Sequence, residues 1–163
     1  MKHPLYDFFS PIGKVVVVFN EIDTSLIILA GGMCLPEFHA VTGMMAEASF
    51  GRKLDALKCI CDEKLKDATL HDELILLLKQ LQEAEDIRNR VCHTFWTGSS
   101  GGQMMKLKWS GKRKTGNQPN LRITKLQEVE EAGERIQKVF ADLVKFMGRL
   151  QKLGVLKIKF VGE

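Results

Sequence analysis

Residues 74–96, LILLLKQLQEAEDIRNRVCHTFW, are the stretch of sequence that decides the fold. Apolar residues recur in it every three or four positions, which is the period of a helix with one buried face. Arg88 falls near the middle of that face, where the pattern requires an apolar residue. A guanidinium there needs a partner, or must carry its charge to water along its apolar stem. The apolar members of the face are Leu74, Leu77, Leu81, Ala84, Val91 and Phe95.

Two further polar residues lie close to Arg88 along this helix. Asn89 and His93 are four residues apart, so they share a neighbouring face. An amide, an imidazole and a guanidinium therefore fall within about one helical turn of each other. A single helix histidine is most often solvated or simply hydrogen-bonded. Three such groups together indicate a functional site more strongly than any one of them does.

The pattern of Arg88, Asn89 and His93 resembles the signature of the HEPN superfamily, the higher eukaryotes and prokaryotes nucleotide-binding domain. In that family, Arg is followed after four to six intervening residues by His, and Asn, Asp or His often follows the Arg directly. Residues 50–57 resemble the second core helix of such domains, and residues 93–96 resemble the exit from the motif helix. The resemblance covers roughly residues 38–150. It implies an all-α fold, an antiparallel four-helix bundle.

The resemblance also implies a function. Many HEPN proteins are homodimeric, metal-independent endoribonucleases that act on single-stranded RNA or tRNA, among them toxins and phage-defence effectors. In such an enzyme the ribose 2′-OH attacks the adjacent phosphate. His93 would move the proton, Arg88 would hold the phosphate oxygens, and Asn89 would orient the imidazole or the substrate. The alternative is a non-catalytic HEPN-like module that binds a nucleotide, an RNA or a partner such as an antitoxin or regulatory protein.

The spacing within the motif favours a dimer. Arg88 and His93 are five residues apart, which is about 140° around a helix. We therefore expect that a single copy does not bring both side chains to one phosphate. Two motif helices that meet about a two-fold axis would supply both groups to one composite cleft. Arg88 would then lie at the subunit interface and open to that cleft.

Length and composition predict a single domain over residues 1–163. With 45% hydrophobic residues, the chain is long enough for one core and too short for two comfortable ones. The longest apolar stretch, Leu26 to Leu35, contains two glycines and falls short of the ~20 residues that span a bilayer. The N-terminus lacks the layout of a signal peptide. We expect a cytoplasmic protein without a membrane segment.

The cysteines and histidines predict neither disulfides nor a metal site. Cys34, Cys59, Cys61 and Cys92 show no Cys-x-x-Cys spacing, and the four histidines are scattered. Cys92 adjoins His93, but consecutive helix residues point about 100° apart, which disfavours a nucleophilic pair. A glycine-rich phosphate loop, a paired-carboxylate metal site and a nucleophile elbow are all missing from the sequence. This argues against kinase, phosphatase and hydrolase chemistry, and we expect no cofactor.

The first half of the chain predicts two helices. Pro4 and Pro11 predict an irregular lead up to about residue 11. A first helix follows over about 14–33, although the β-branched residues 15–19 would also suit a strand. Leu35 and Pro36 mark a break, and the second helix is predicted to run to about residue 66. Glycines 43 and 51 could allow it a close helix contact. Its predicted inner face consists of Phe50, Leu54, Leu57, Cys61 and Leu65.

Two more helices complete the predicted bundle. The third begins near 68–72, where Thr69 followed by Asp72 is a start signal, and continues to about Trp96. The fourth begins after Thr124 and ends near Gly154. Antiparallel packing of these helices gives the four-helix bundle.

The segment between the third and fourth helices, residues 97–125, differs from the rest in charge. Seven basic residues and no acidic residue lie between positions 97 and 127, so the remainder sums to −3 although the chain carries +4. Met105 and Leu107 alternate with lysines, and Leu121 and Ile123 can pair back after a turn at 110–116. This predicts a basic β-hairpin.

A basic hairpin beside the motif helix predicts contact with an RNA backbone. Trp96 or Trp109 could stack on bases. The alternative is a solvated, flexible loop whose aromatic residues cover the helices. The residues expected to bind RNA are Lys106, Lys108, Trp109, Lys112, Arg113 and Lys114.

Overall fold

Helices make up most of the fold. The computed structural model describes residues 6–98, 104–112 and 116–157, with side chains for all of these except 98, 108–112 and 116–121. Within this part of the chain, five helices accompany one three-stranded sheet. The elements are α1 (Tyr6–Met33), α2 (Phe38–Glu47), α3 (Phe50–Lys64), α4 (Ala68–Cys92), β1 (Phe95–Gly98), β2 (Met104–Lys112), β3 (Gly116–Ile123) and α5 (Leu126–Lys152). The prediction of a mostly helical chain is confirmed.

Helix α1 packs against each of the other four helices. Its fully buried residues include Val15, Ile22, Leu26 and Leu29, at the spacings of one helix face. The predicted irregular lead is wrong, because α1 already begins at Tyr6 and contains Pro11. Pro11 lies in the second turn of α1, where its missing N–H removes one backbone hydrogen bond. Residues 15–19 are helical, not a strand.

Helix α1 is also the one helix of the described residues that is long and apolar enough to cross a membrane by length and composition. Half of its most apolar window is buried inside the protein. The core helix of a globular protein has the same properties. The estimate from the sequence missed this helix because it counted only uninterrupted apolar residues.

The predicted second helix is two helices. α2 ends at Glu47, and α3 begins at Phe50 after Ala48 and Ser49 take extended conformations with ψ of 147° and 156°. Serine is favoured just before a helix, although the Ser49 side chain caps no N–H here. The predicted inner face is confirmed, since all five of its residues are buried: Phe50, Leu54, Leu57, Cys61 and Leu65.

The close helix contact occurs at a glycine other than the predicted ones. A Cβ at Gly43 or Gly51 would meet nothing within 4 Å among the described residues. At Gly31 of α1, a Cβ would stand 2.5 Å from Thr42 Cγ2 and 2.9 Å from Phe38 Cδ2. α2 therefore lies against the end of α1 at a position where only glycine leaves room.

Helix α4 begins at Ala68, within the predicted range, but its capping residue and its end differ from those predicted. Asp67 caps it, accepting hydrogen bonds from the backbone N–H groups of Thr69 and Leu70 at 2.8 and 3.1 Å. The predicted start signal at Thr69 and Asp72 is therefore wrong. The helix ends at Cys92, not near residue 96, because residues 95–98 form β1. α5 agrees with its prediction and ends before Gly154, whose φ of 71° favours glycine.

The basic segment folds as the predicted hairpin, with β1 added as a third strand. The sheet is antiparallel in the order β1-β2-β3. Met105 pairs with Ile123 and Leu107 with Leu121, so the apolar residues of the two predicted strands are cross-strand partners. The backbone N–H of Thr124 donates to the Met104 carbonyl at 3.0 Å. This bond ties the start of β2 to the chain just before α5.

Candidate functional site

Arg88, Asn89 and His93 meet at the C-terminal end of α4. Arg88 Nη1 donates to Asn89 Oδ1 at 2.9 Å and lies 3.3 Å from His93 Nε2. His93 is exposed and forms the C-cap, whereas Arg88 and Asn89 are half-buried. The expectation that one copy does not bring Arg88 and His93 together is wrong. Five residues rise only about 7.5 Å along a helix, and the arginine side chain spans that distance.

The guanidinium of Arg88 rests on an aromatic ring of α1. Its Cζ lies 5.4 Å from the centre of the Phe19 ring. Phe19 is buried, and its ring centre lies 4.8 Å from that of Phe50 in α3. The face of an aromatic ring attracts a cation. Arg88 therefore occupies the apolar stripe without pairing with any carboxylate of the described residues.

The contact between Arg88 and His93 has a definite chemical meaning. A guanidinium can only donate hydrogen bonds, so the facing Nε2 of His93 presents its lone pair. A neutral imidazole in this form can accept a proton. The same Nη1 orients the side-chain oxygen of Asn89. The three residues thus combine a permanent positive charge, a proton acceptor and an oriented amide.

Cys92 adjoins these residues without sharing their chemistry. It is half-buried, and this burial raises the pKa of its thiol, an effect that the nearby Arg88 charge opposes more weakly. The thiol therefore stays protonated at neutral pH, which makes it a poor nucleophile. The pKa agrees with the expectation from sequence that Cys92 and His93 do not form a nucleophilic pair.

Two of the three motif residues, Asn89 and His93, line a cavity beside β2. This cavity of about 670 Å³, called here the motif cavity, is lined by Asp86, Asn89, Arg90, His93, Thr94 and Lys106. Lys106 is thus a predicted RNA-binding residue that lies beside the motif. For Lys108, Trp109 and Lys112 the backbone belongs to β2, and their side chains lie outside the described part of the chain. Arg113 and Lys114 lie outside the described residues altogether.

Trp96 is half-buried against the helices. Its Nε1 donates to the Val91 carbonyl at 3.0 Å. Its ring centre lies 5.9 Å from that of Phe8. These contacts agree with the alternative that aromatic side chains of the segment cover the helices. Trp96 also lines a cavity, and its stacking on bases stays a prediction.

The sheet turns its basic side toward the helices and an apolar side outward. Lys106 and Arg122 are cross-strand partners, and both line a cavity together with Trp96. Side chains alternate along a strand, which assigns Phe95, Met105, Leu107 and Ile123 to the opposite face. Phe95 is 63% exposed and Ile123 is 55% exposed. We call this face the outer sheet face.

Sequence reasoning missed an ion pair beneath the site, between a buried lysine and a half-buried aspartate. Lys53 of α3 is only 4% exposed, and its Nζ lies 2.8 and 2.7 Å from the two carboxylate oxygens of Asp23 in α1. Asp23 follows Phe19 by one helical turn, and Lys53 follows Phe50 by nearly one turn. The available signal was Asp23 itself, an acidic residue inside the apolar sequence of α1.

No protein-family model, no curated protein and no solved structure matches the chain. Its function has to be inferred from the geometry of the site.

Proposed function

We propose that the protein is a metal-independent endoribonuclease of the HEPN type that cleaves single-stranded RNA or tRNA in the cytoplasm. The supporting observation is the contact of Arg88 with both Asn89 and His93 at the edge of the motif cavity. In this proposal α1, α3, α4 and α5 are the four helices of a HEPN-type bundle. α2 is the separated first part of its second helix, and the sheet is an insertion. A role as toxin or phage-defence effector belongs to the same proposal.

The proposed reaction uses the substrate's own nucleophile. The ribose 2′-oxygen attacks the adjacent phosphorus, and the bond from phosphorus to the 5′-oxygen breaks. The products are a 2′,3′-cyclic phosphate and a 5′-hydroxyl. When the phosphate oxygens replace His93 Nε2 as acceptors of the Arg88 N–H, the freed Nε2 lone pair takes the proton of the 2′-OH. Arg88 donates to the phosphate oxygens as negative charge builds up on them, and Asn89 holds the guanidinium in place.

The leaving 5′-oxygen must gain a proton. Water or the His93 of a second copy can supply it, and the second source is a reason to propose a homodimer. Because Arg88 and His93 already meet within one chain, their spacing no longer requires a second subunit. The support for self-association is the outer sheet face. Phe95 and Ile123 are exposed there beside the motif, and an exposed apolar patch of this kind is typical of protein contacts.

The outer sheet face also favours a second candidate function. It would suit a non-catalytic module that holds RNA or a nucleotide while an antitoxin or other regulatory protein covers Phe95 and Ile123. The two candidates differ in whether His93 changes RNA covalently. A cleavage assay therefore separates them.

The test is incubation of the purified protein with total tRNA and a single-stranded RNA in EDTA. His93→Ala is compared with His71→Ala, because His71 is another histidine of α4 whose Nε2 contacts Asp62 at 2.7 Å, away from the site. We expect fragments ending in 2′,3′-cyclic phosphate from wild type and His71→Ala. The rate of His93→Ala should fall by about 10²–10⁴-fold. The solution mass should be twice the chain mass of 18.4 kDa.

Two outcomes contradict the proposal. Equal cleavage by His93→Ala would assign the activity to another site or another protein. Intact RNA with every variant, while RNA still binds, would support the binding module.

A further inference from the structure

A second cavity lies between α4, α5 and the inner side of the sheet, and we call it the inner cavity. Its volume is about 250 Å³. It shares Arg90 and Lys106 with the motif cavity, so the two are neighbours with a common wall. Arg122 and Arg135 add two more cations to its lining. An RNA strand that crosses the motif cavity can therefore continue into the inner cavity and stay in contact with basic residues.

The acidic residues of the inner cavity already have partners. Glu128 lies 3.6 Å from Arg122 and accepts a hydrogen bond from the backbone N–H of Lys125 at 3.5 Å. Glu131 accepts from Gln127 Nε2 at 3.0 Å. Of the four cations in the described lining, only Arg122 pairs with a carboxylate of the described residues. The cavity thus has an excess of positive charge.

A buried hydroxyl in the same cavity points to a ligand. Thr124 is 4% exposed and lines the inner cavity. Its Oγ1 has no hydrogen-bond partner among the described residues. Burying a hydroxyl without a partner is unfavourable, so a buried hydroxyl in a folded protein usually has one. A donor hydroxyl among unpaired cations suits the oxygens of a phosphate.

We propose that the inner cavity is a second phosphate subsite, which holds a backbone phosphate of the RNA strand next to the phosphate that reacts at Arg88. In this proposal the Thr124 side chain rotates so that Oγ1 reaches the cavity and donates to the second phosphate, and Arg135 and Arg122 balance the charge of that phosphate. Arg90 and Lys106 lie between the two subsites and contact both. The assignment rests on the proposed function, because it takes the ligand to be the strand that is cleaved.

The test measures binding without cleavage. A short fluorescent oligoribonucleotide with 2′-O-methyl groups cannot be cut, and its affinity is followed by anisotropy. We expect Thr124→Val to bind about tenfold more weakly, the loss of one hydrogen bond to a charged group. Thr124→Ser keeps the hydroxyl and should keep the affinity. The melting temperature should not fall in Thr124→Val, because its methyl group replaces a hydroxyl that has no partner.

A charge variant with a matched control completes the test. Arg135→Gln removes a cation of the inner cavity, and Lys138→Gln removes a cation of α5 that does not line it. Arg135→Gln should weaken binding and lower the slope of log K against log salt by about 0.7. Lys138→Gln should have a smaller effect on the affinity and on the salt slope. Equal effects of these two variants, or unchanged affinity of Thr124→Val, would overturn the subsite.

Inorganic phosphate identifies the source of the ligand. If Thr124→Val abolishes a phosphate-induced rise in melting temperature but leaves oligonucleotide affinity unchanged, the cavity takes a free anion and the strand assignment is wrong. The subsite and the proposed function can fail separately. Oligonucleotide binding that needs Thr124, with no cleavage of natural RNA, removes the nuclease and keeps the subsite. Cleavage that needs His93, with unaltered binding by Thr124→Val, keeps the nuclease and removes the subsite.

Discussion

Lys53 and Arg88 are two cations placed beside the aromatic pair of Phe19 and Phe50, and they are held in different ways. Lys53 is almost fully buried and contacts both oxygens of Asp23. Arg88 is half-buried and contacts an amide, an imidazole and an aromatic ring, none of which is a carboxylate. A cation paired with a carboxylate is neutralised within the fold. A cation held without a carboxylate keeps the capacity to bind an anion.

The largest effect expected from changing either cation is on catalysis, from Arg88→Gln. The shape of the side chain is roughly kept while its charge is lost, so we expect cleavage to fall by about 10²–10³-fold. The free energy of unfolding should change by only about 1 kcal/mol. Single-turnover cleavage and urea unfolding measure the two quantities. Arg88→Lys should not restore the rate, because an ammonium lacks the planar fork of the guanidinium. A large loss of stability would place Arg88 with Lys53 as a structural cation.

A large loss of stability is expected instead when the pair of Lys53 with Asp23 is broken. Asp23→Ala leaves the Lys53 ammonium buried without its carboxylate, so we expect the free energy of unfolding to fall by about 3–5 kcal/mol. Replacing both residues, with Lys53→Met added, should recover most of that loss. Asp62→Ala is the control, since its pair with His71 is exposed and should contribute about 0–1 kcal/mol. Urea denaturation measures the free energy of unfolding of each variant. A double variant no more stable than Asp23→Ala would show that the two charges are not coupled.

The smallest expected effect comes from the aromatic pair that lies between the two regions. Phe19→Leu and Phe50→Leu both remove the ring contact and should each lower the free energy of unfolding by about 1–2 kcal/mol. Only Phe19 also lies beneath Arg88. We therefore expect Phe19→Leu alone to slow cleavage by about fivefold, which corresponds to roughly 1 kcal/mol of cation–π attraction. Equal rates for the two variants, measured at saturating RNA, would mean that the ring does not position the guanidinium.

The sequence predicted those elements whose pattern is local and uninterrupted. The predictions of α5 and of a hairpin agree with the structure because helix and hairpin periods are visible within one segment. The strand β1 was not predictable in this way. Phe95 continues the apolar period of α4, and only pairing with Leu107 of β2 makes it a strand. Strand formation depends on a partner segment, which a local pattern does not contain.

The candidate site likewise combines features that are local in the sequence with contacts that depend on the tertiary structure. The sequence by itself determined that Arg88, Asn89 and His93 lie within one helix end and that a basic segment follows them, because spacing and charge are properties of consecutive residues. Only the tertiary structure decided that Phe19 lies under Arg88, that Lys106 faces the motif, and that the Thr124 hydroxyl is buried beside unpaired cations. Those contacts join residues far apart in the chain. Their burial depends on how all the segments pack, and no single segment carries that information.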